Sequence, residues 1–303
     1  MAKASSTANG KGNEWALASA LAELLVVPLR SDNSAKKAEE SFNSIDHDLR
    51  GRFETAARLS ALHLIERENM LLTRRPPRQV SLQADRAGEH GDVRDVVVSA
   101  GIDLFGISCK SNHAAYKHPR ISKHLDWAKV WGLSELGCST EYFRAVAPVF
   151  DELARIKEES SGTKLFSEIP NLHEEYYVPC LDAFQTELLR LFDTQENLPE
   201  KLTRYLVGFQ DFYKVITRKS HVEIQEFNFA GSLSGKKSIF PSKLIAIDTE
   251  EGGQWSFNVR FDRGYVFNFR LHSASSRVEP SFKFDIQAIS LPASEIYTHQ
   301  ISF

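Results

Sequence analysis

Cysteine is scarce in this chain of 303 residues: there are three, Cys109, Cys138 and Cys180, far apart and never in a CxxC pair. That pattern argues against a disulfide framework and a structural zinc site, and fits a reducing compartment. No run approaches the ~18 apolar residues that a membrane-crossing helix needs, so no membrane partner is expected. No signal-peptide pattern precedes the first helical segment, which gives the expectation of a cytoplasmic protein. An excess of positive charge is also missing. The formal net charge is -3, so any affinity for nucleic acid would have to come from local basic clusters. Internal repeats and low-complexity tracts are absent too. What is present is ordinary for a folded protein: 42% hydrophobic and 25% charged residues, at a length that allows one large domain or two smaller ones.

Trp15, Leu17, Ala18, Leu21, Leu24 and Leu25 recur at helical spacing from Asn13 to Pro28. A longer helical stretch is expected from Phe42 to Leu72, ended by the two prolines of TRRPPR. Helical periodicity returns from Ser139 to Ile156, and further amphipathic helices are expected over His173 to Phe192 and Leu202 to Ile216. Past Arg218 the texture changes to alternation. Trp255, Phe257, Val259 and Phe261 are followed, after Asp262-Arg263-Gly264, by Tyr265, Phe267, Phe269 and Leu271, which reads as a β-hairpin. A last strand is expected at Phe282 to Leu291. The layout is α/β to α+β with a mixed sheet, divided into a helix-rich part over 1–218 and a β-rich part over 219–303.

The chain is organised around Gly91 to Lys123, GDVRDVVVSAGIDLFGISCKSNHAAYKHPRISK. Asp92 and Asp95 stand just before an apolar strand (Val96 to Val98), and Lys110 ends a second one (Leu104 to Cys109). If the two pair antiparallel around Ala100-Gly101, Asp95 and Lys110 become neighbours across fifteen positions. An aspartate able to bind a divalent cation, beside a lysine able to steady a water or a phosphate, is the minimum equipment for metal-dependent phosphodiester hydrolysis. Each residue also has an ordinary reading as a turn carboxylate or a strand-end lysine; the combination is what carries information. Asn112, His113, Lys117, His118 and Arg120 follow at once and read as a phosphate-binding surface, which Arg74, Arg75 and Arg78 could extend. His113 and His118, five apart, do not share a helix face, which argues against zinc. Glu14, on the first helix, is a candidate for a second metal oxygen.

These residues resemble the PD-(D/E)xK nuclease superfamily: an acid, then (D/E)xK, after a Glu-bearing helix. The wording GDVRDVVV followed by GISCKSNHAAYKHPRIS is similar to the HaeIII family of type II restriction endonucleases. Its SxK and NHxAxKHxR pattern falls on Ser108, Lys110, Asn112, His113, Ala115, Lys117, His118 and Arg120. The late segment FRLHSASSRVEPSFKFDIQ (Phe269 to Gln287) is similar to a C-terminal stretch of such enzymes. One departure matters: Ser108 stands where the superfamily has its second acid, so the missing oxygen would have to come from Asp92, Glu14 or a backbone carbonyl.

The resemblance implies a mixed sheet flanked by helices, a nuclease core over 1–218 with the strand pair at about 91–110, and a C-terminal part that recognises DNA. It implies Mg²⁺-dependent cleavage of double-stranded DNA, at GGCC for this family, leaving blunt ends with 5′-phosphates. Asp95, helped by Asp92 or Glu14, would hold the metal, and Lys110 would orient the attacking water. A G·C site calls for Arg or Lys against guanine and for acceptors against cytosine N4. Arg270, His272, Arg277 and Lys283 are the candidates in the β-rich part. A palindromic site implies a two-fold homodimer, or a monomer acting twice. The alternatives are a structure-specific repair or recombination nuclease, and a DNA-binding module that has lost its chemistry at Ser108.

Overall fold

The computed structural model describes residues 6–84, 92–100, 103–112, 115–117, 119–133, 137–249 and 256–303. Four helices come first: α1 (Ser6–Leu25), α2 (Asn33–Ser44), α3 (His47–Arg67) and α4 (Asn69–Arg74). The single helix expected over Phe42 to Leu72 is broken because Asp46 caps a new one. Its carboxylate accepts the Leu49 N–H at 2.9 Å, as Asp32 does for Ser34 and Ala35 at the start of α2. Strands β1 (Gln79–Leu82), β2 (Val96–Ser99) and β3 (Asp103–Ser111) follow, with the short β4 (Ala115–Lys117) and β5 (Arg120–Ile121) after them. Next come α5 (Trp127–Val130), α6 (Thr140–Glu159), α7 (Val178–Thr194) and α8 (Leu198–Val207). The chain closes with β6 (Phe212–Thr217), β7 (His221–Phe227), β8 (Leu244–Thr249), β9 (Ser256–Phe261), β10 (Val266–Ser273), β11 (Phe282–Ser290) and β12 (Tyr297–Ser302).

This is a mixed α+β protein with a strand-rich C-terminal region, as expected. The helix expected over Leu202 to Ile216 is a correction. Gly208 turns to φ +106° just past Val207, a conformation that stops a helix. The following Phe-Tyr-Lys-Val-Ile-Thr is a strand, buried at every position. A fully buried strand has no alternation by which to recognise it.

The chain forms two compact units, each discontinuous in sequence. One comprises Met1–Ala114, Val207–Ile239 and Ala293–Phe303; the other comprises Ala115–Leu206 and Phe240–Pro292. Residue 218 lies in the turn of the antiparallel hairpin β6–β7, which pairs from Phe212↔Phe227 to Thr217↔Val222.

The first unit holds a sheet in the order β1-β2-β3-β6-β7-β12. Its β3 and β6 run parallel, which requires a long crossover. The intervening chain supplies that crossover together with much of the second unit. Alternation gives this sheet two different faces. Val80, Val96, Val98, Phe105, Ile107, Tyr213, Val215, Val222 and Ile224 lie on one, packed in a single core with Leu17 and Leu21 of α1 and Phe53, Ala57 and Leu64 of α3. The alternate positions (Asp95, Ser108, Lys110, Lys214, Glu223, Gln225) carry polar side chains to the other.

The second unit has a sheet in the order β4-β11-β10-β9-β8, with β5 also beside β11. The expected hairpin is β9–β10, turned at Arg263 and Gly264, both at positive φ. One face is aromatic. Phe257 and Phe269 stack at 5.3 Å, and Phe184 of α7 packs on both and on Phe284. Among the described residues no helix is long and apolar enough to cross a membrane.

Candidate active site

Asp95 immediately precedes β2 and is held from all sides. Its N–H donates to the Ile107 carbonyl at 2.7 Å, and its own carbonyl accepts the Gln83 N–H at 2.8 Å. Its Oδ2 accepts three donors from β3: the Cys109 N–H at 2.6 Å, the Ser108 hydroxyl at 3.2 Å and the Lys110 ammonium at 3.4 Å. None of the three is directed at Oδ1. The antiparallel register that pairs Val96 with Ile107 produces this geometry, since it sets Asp95 opposite Ser108. Ser108 thus bonds directly to Asp95, where a second carboxylate would repel it.

Glu14 is brought in from α1. It is buried and paired with Lys11 at 2.9 Å, one turn earlier on the same helix. Burial first, and then the charge of Asp95, push its pKa up to about 7, against the opposing pull of Lys11 and Lys110. Asn13 fixes this stretch of helix against the sheet. Its amide donates to the Lys110 carbonyl at 3.3 Å and accepts the Thr217 hydroxyl at 3.0 Å. Sequence reasoning missed Lys11 and Asn13, whose partners lie on elements far along the chain. It also missed Lys214, which lies beside Ser108 across the parallel β3–β6 pair. Burial, and then the charge of Lys110, lower the Lys214 pKa well below its ordinary value.

Asp92 is placed differently. Arg94 donates to both its oxygens at 2.8 and 2.7 Å, and the Gln83 amide to one at 2.8 Å. Burial works against its charge, but these bonds prevail and hold its pKa below the ordinary value. Glu14 is thus the carboxylate whose charge couples to Asp95, while Asp92 is engaged by Arg94. The buried Arg94 stem lies across Gly106, where an added Cβ would overlap its Cδ and Cγ. Gly106→Ala will displace Arg94, loosen its grip on Asp92 and destabilise the fold by about 1–3 kcal/mol; urea denaturation measures the loss. An unchanged midpoint would show that the stem moves aside freely.

Asn112, just past β3, takes φ +57° and is tied through its backbone to Thr217 and Arg218. His113 and His118 lie outside the described residues, as does the Lys117 side chain; the Lys117 backbone pairs with Ile286. In the second unit, Arg120, Lys283 and His272 are aligned across β5, β11 and β10. Arg120 donates to Ser281 at 3.3 Å, and Arg270, on the same sheet face, pairs with Asp285 at 2.8 Å. Arg277 is exposed and bridges to Leu165 through the backbone.

Among the described residues no three His, Cys, Asp or Glu side chains gather at one point. The pair that could hold a cation is Glu14 and Asp95. Two carboxylates coupled through their charges suit a small hard cation that completes its shell with water and phosphate oxygens. Magnesium fits such a set.

Comparison with known proteins gives the family. The family model described as HaeIII restriction endonuclease matches residues 14–292. The chain is 30% identical to the type II restriction enzyme HaeIII of Haemophilus aegyptius over 309 aligned positions, covering 95% of each protein. No solved structure matches. The chain that carries the Asp95–Lys110 pair is thus a member of the HaeIII restriction endonuclease family, a family of site-specific nucleases.

Proposed function

We propose that this protein hydrolyses phosphodiester bonds of double-stranded DNA with Mg²⁺, at GGCC, giving blunt ends with 5′-phosphates, in the cytoplasm. The observation that carries the reading is the meeting of Asp95 and Lys110 at 3.4 Å beside the buried Glu14. Asp95 and Glu14 would hold the metal. Once bound, it would supply positive charge against the scissile phosphate as negative charge grows there.

The chain's own groups do the rest. Ser108 and the Cys109 N–H fix the Asp95 carboxylate. Lys110 orients the attacking water and stabilises the hydroxide formed as the water's proton passes to solvent. The water oxygen bonds to phosphorus, the bond to O3′ breaks, and the leaving oxygen takes up a proton. Asn112, His113, Lys117 and His118 are assigned to the phosphates, which position the protein without carrying sequence information. Base reading is assigned to Lys283, His272, Arg270 and Arg277, and Arg120, read from the sequence as a phosphate contact, is placed with them because it lies in register with Lys283. The guanidinium and ammonium groups among these suit guanine O6 and N7. A palindromic target suits a two-fold homodimer, or a monomer acting twice.

Digestion of plasmid DNA tests the proposal. Discrete fragments with Mg²⁺, none with a chelator, and ends that sequence to GGCC are expected. Binding without cleavage would indicate a DNA-binding module. Cleavage only at flaps or junctions would indicate a structure-specific nuclease.

A further inference from the structure

A groove of about 820 Å³ opens in the first unit between α1, α2 and the end of β1. That is within the range of roughly 300–1,000 Å³ typical of ligand sites, far more than a single ion needs. Two of its lining residues are bonded to members of the catalytic cluster. Lys11, on its α1 wall, is bonded to Glu14. Gln83, on its β1 wall, donates its N–H to the carbonyl of Asp95. An occupant of the groove therefore meets Lys11, the ion-pair partner of Glu14, and the residue whose backbone holds Asp95.

Its lining limits the occupant. Among the described lining residues two ammonium groups, Lys11 and Lys37, stand against one carboxylate, Glu40, and most of the other side chains are hydroxyls or amides, Asn33 and Ser34 among them. Among the described residues that line it none is aromatic, so they offer no platform for stacking a base. The Asp32 carboxylate already takes the Ser34 and Ala35 N–H groups, so side chains, and not the helix end, would make the contacts. Lys37 is exposed, and among the described residues no carboxylate pairs with it. Lysine, serine and asparagine side chains without aromatics are the set that contacts sugar-phosphate backbone.

We infer that this groove holds the backbone of the cleaved DNA strand next to the scissile phosphate, with Lys37 as its main phosphate contact. The inference rests on the nuclease reading and names part of its substrate path. In cutting terms Lys37 positions the strand, whereas Glu14, Asp95 and Lys110 act on the reacting atoms.

The test uses the full-length protein and a duplex carrying one GGCC, with binding measured without Mg²⁺ over a range of salt. Lys37→Ala is expected to reduce the slope of log K against log[salt] by about 0.9, the change for one lost phosphate contact on B-DNA. Uncharged methylphosphonates are then placed singly at the three phosphates on either side of the cleavage point. At least one should weaken binding by the wild type and have no further effect on Lys37→Ala. Thermal melting confirms that the exposed substitution leaves the fold intact. A wild-type slope together with a wild-type methylphosphonate profile in Lys37→Ala, in a protein that still cuts DNA, overturns the groove assignment alone. Failure of the wild type to bind or cut the duplex overturns the nuclease reading, and this inference with it.

Discussion

Lys110→Met will lower the rate of DNA cleavage by about 10²–10³-fold, the usual cost of removing one group that stabilises charge in the transition state. Duplex affinity will stay within a few-fold of wild type. Methionine retains the stem of the lysine, so the pairing of β3 with β2 and β6 persists. What disappears is the ammonium 3.4 Å from Asp95. Lys110→Arg will not restore the rate, because the planar guanidinium carries its charge on a longer, differently shaped end. Single-turnover cleavage with enzyme in excess separates the chemical step from product release. A methionine variant that cuts at the wild-type rate would remove Lys110 from the mechanism.

Glu14→Gln will act in opposite directions on stability and on cleavage. The Glu14 pKa stands at about 7 in the fold against an ordinary value of 4.5. The folded protein therefore binds a proton more tightly than the unfolded chain does. Full stability from this group is present below about pH 4.5, declines as the pH rises, and is lost once the pH has passed about 7. The shift corresponds to roughly 3 kcal/mol in order of magnitude. Glutamine, with no proton to lose, will make the protein more stable at pH 8 by up to about that amount. The advantage will vanish toward pH 4.5, and cleavage will fall to background at every pH. Denaturant unfolding across this range measures the effect. Mg²⁺ adds a second readout: it should raise the melting temperature of the wild type at pH 8 and leave that of Glu14→Gln unmoved. A variant with a flat stability difference from pH 4.5 to 8 would place the Glu14 titration elsewhere.

Strain-free local rules account for the parts that could be read from the chain alone. Val96 to Val98 and Leu104 to Cys109 are short apolar runs separated by a turn, and antiparallel pairing follows from that proximity. Once they pair, the meeting of Asp95 and Lys110 is a matter of register. The alternation from Phe257 to Leu271 announces its hairpin in the same way. Phe212 to Thr217 is different: an unbroken buried run looks alike as strand or helix, and its place beside β3 depends on partners a hundred residues away.

The acid at the first helix illustrates the same division. Local order supplied a glutamate, two aspartates and a lysine, and made each a candidate on chemical grounds. What distinguishes Glu14 from Asp92 is a set of contacts formed only when the chain folds: Arg94 lies over Gly106 and captures Asp92, while Asn13 fastens α1 to Lys110 and Thr217. Short-range pairing is encoded in neighbouring residues and can be read from them. Burial, charge coupling and the filling of hydrogen-bond demands are set by groups far apart in the chain, so they emerge only once helix and sheet have packed together.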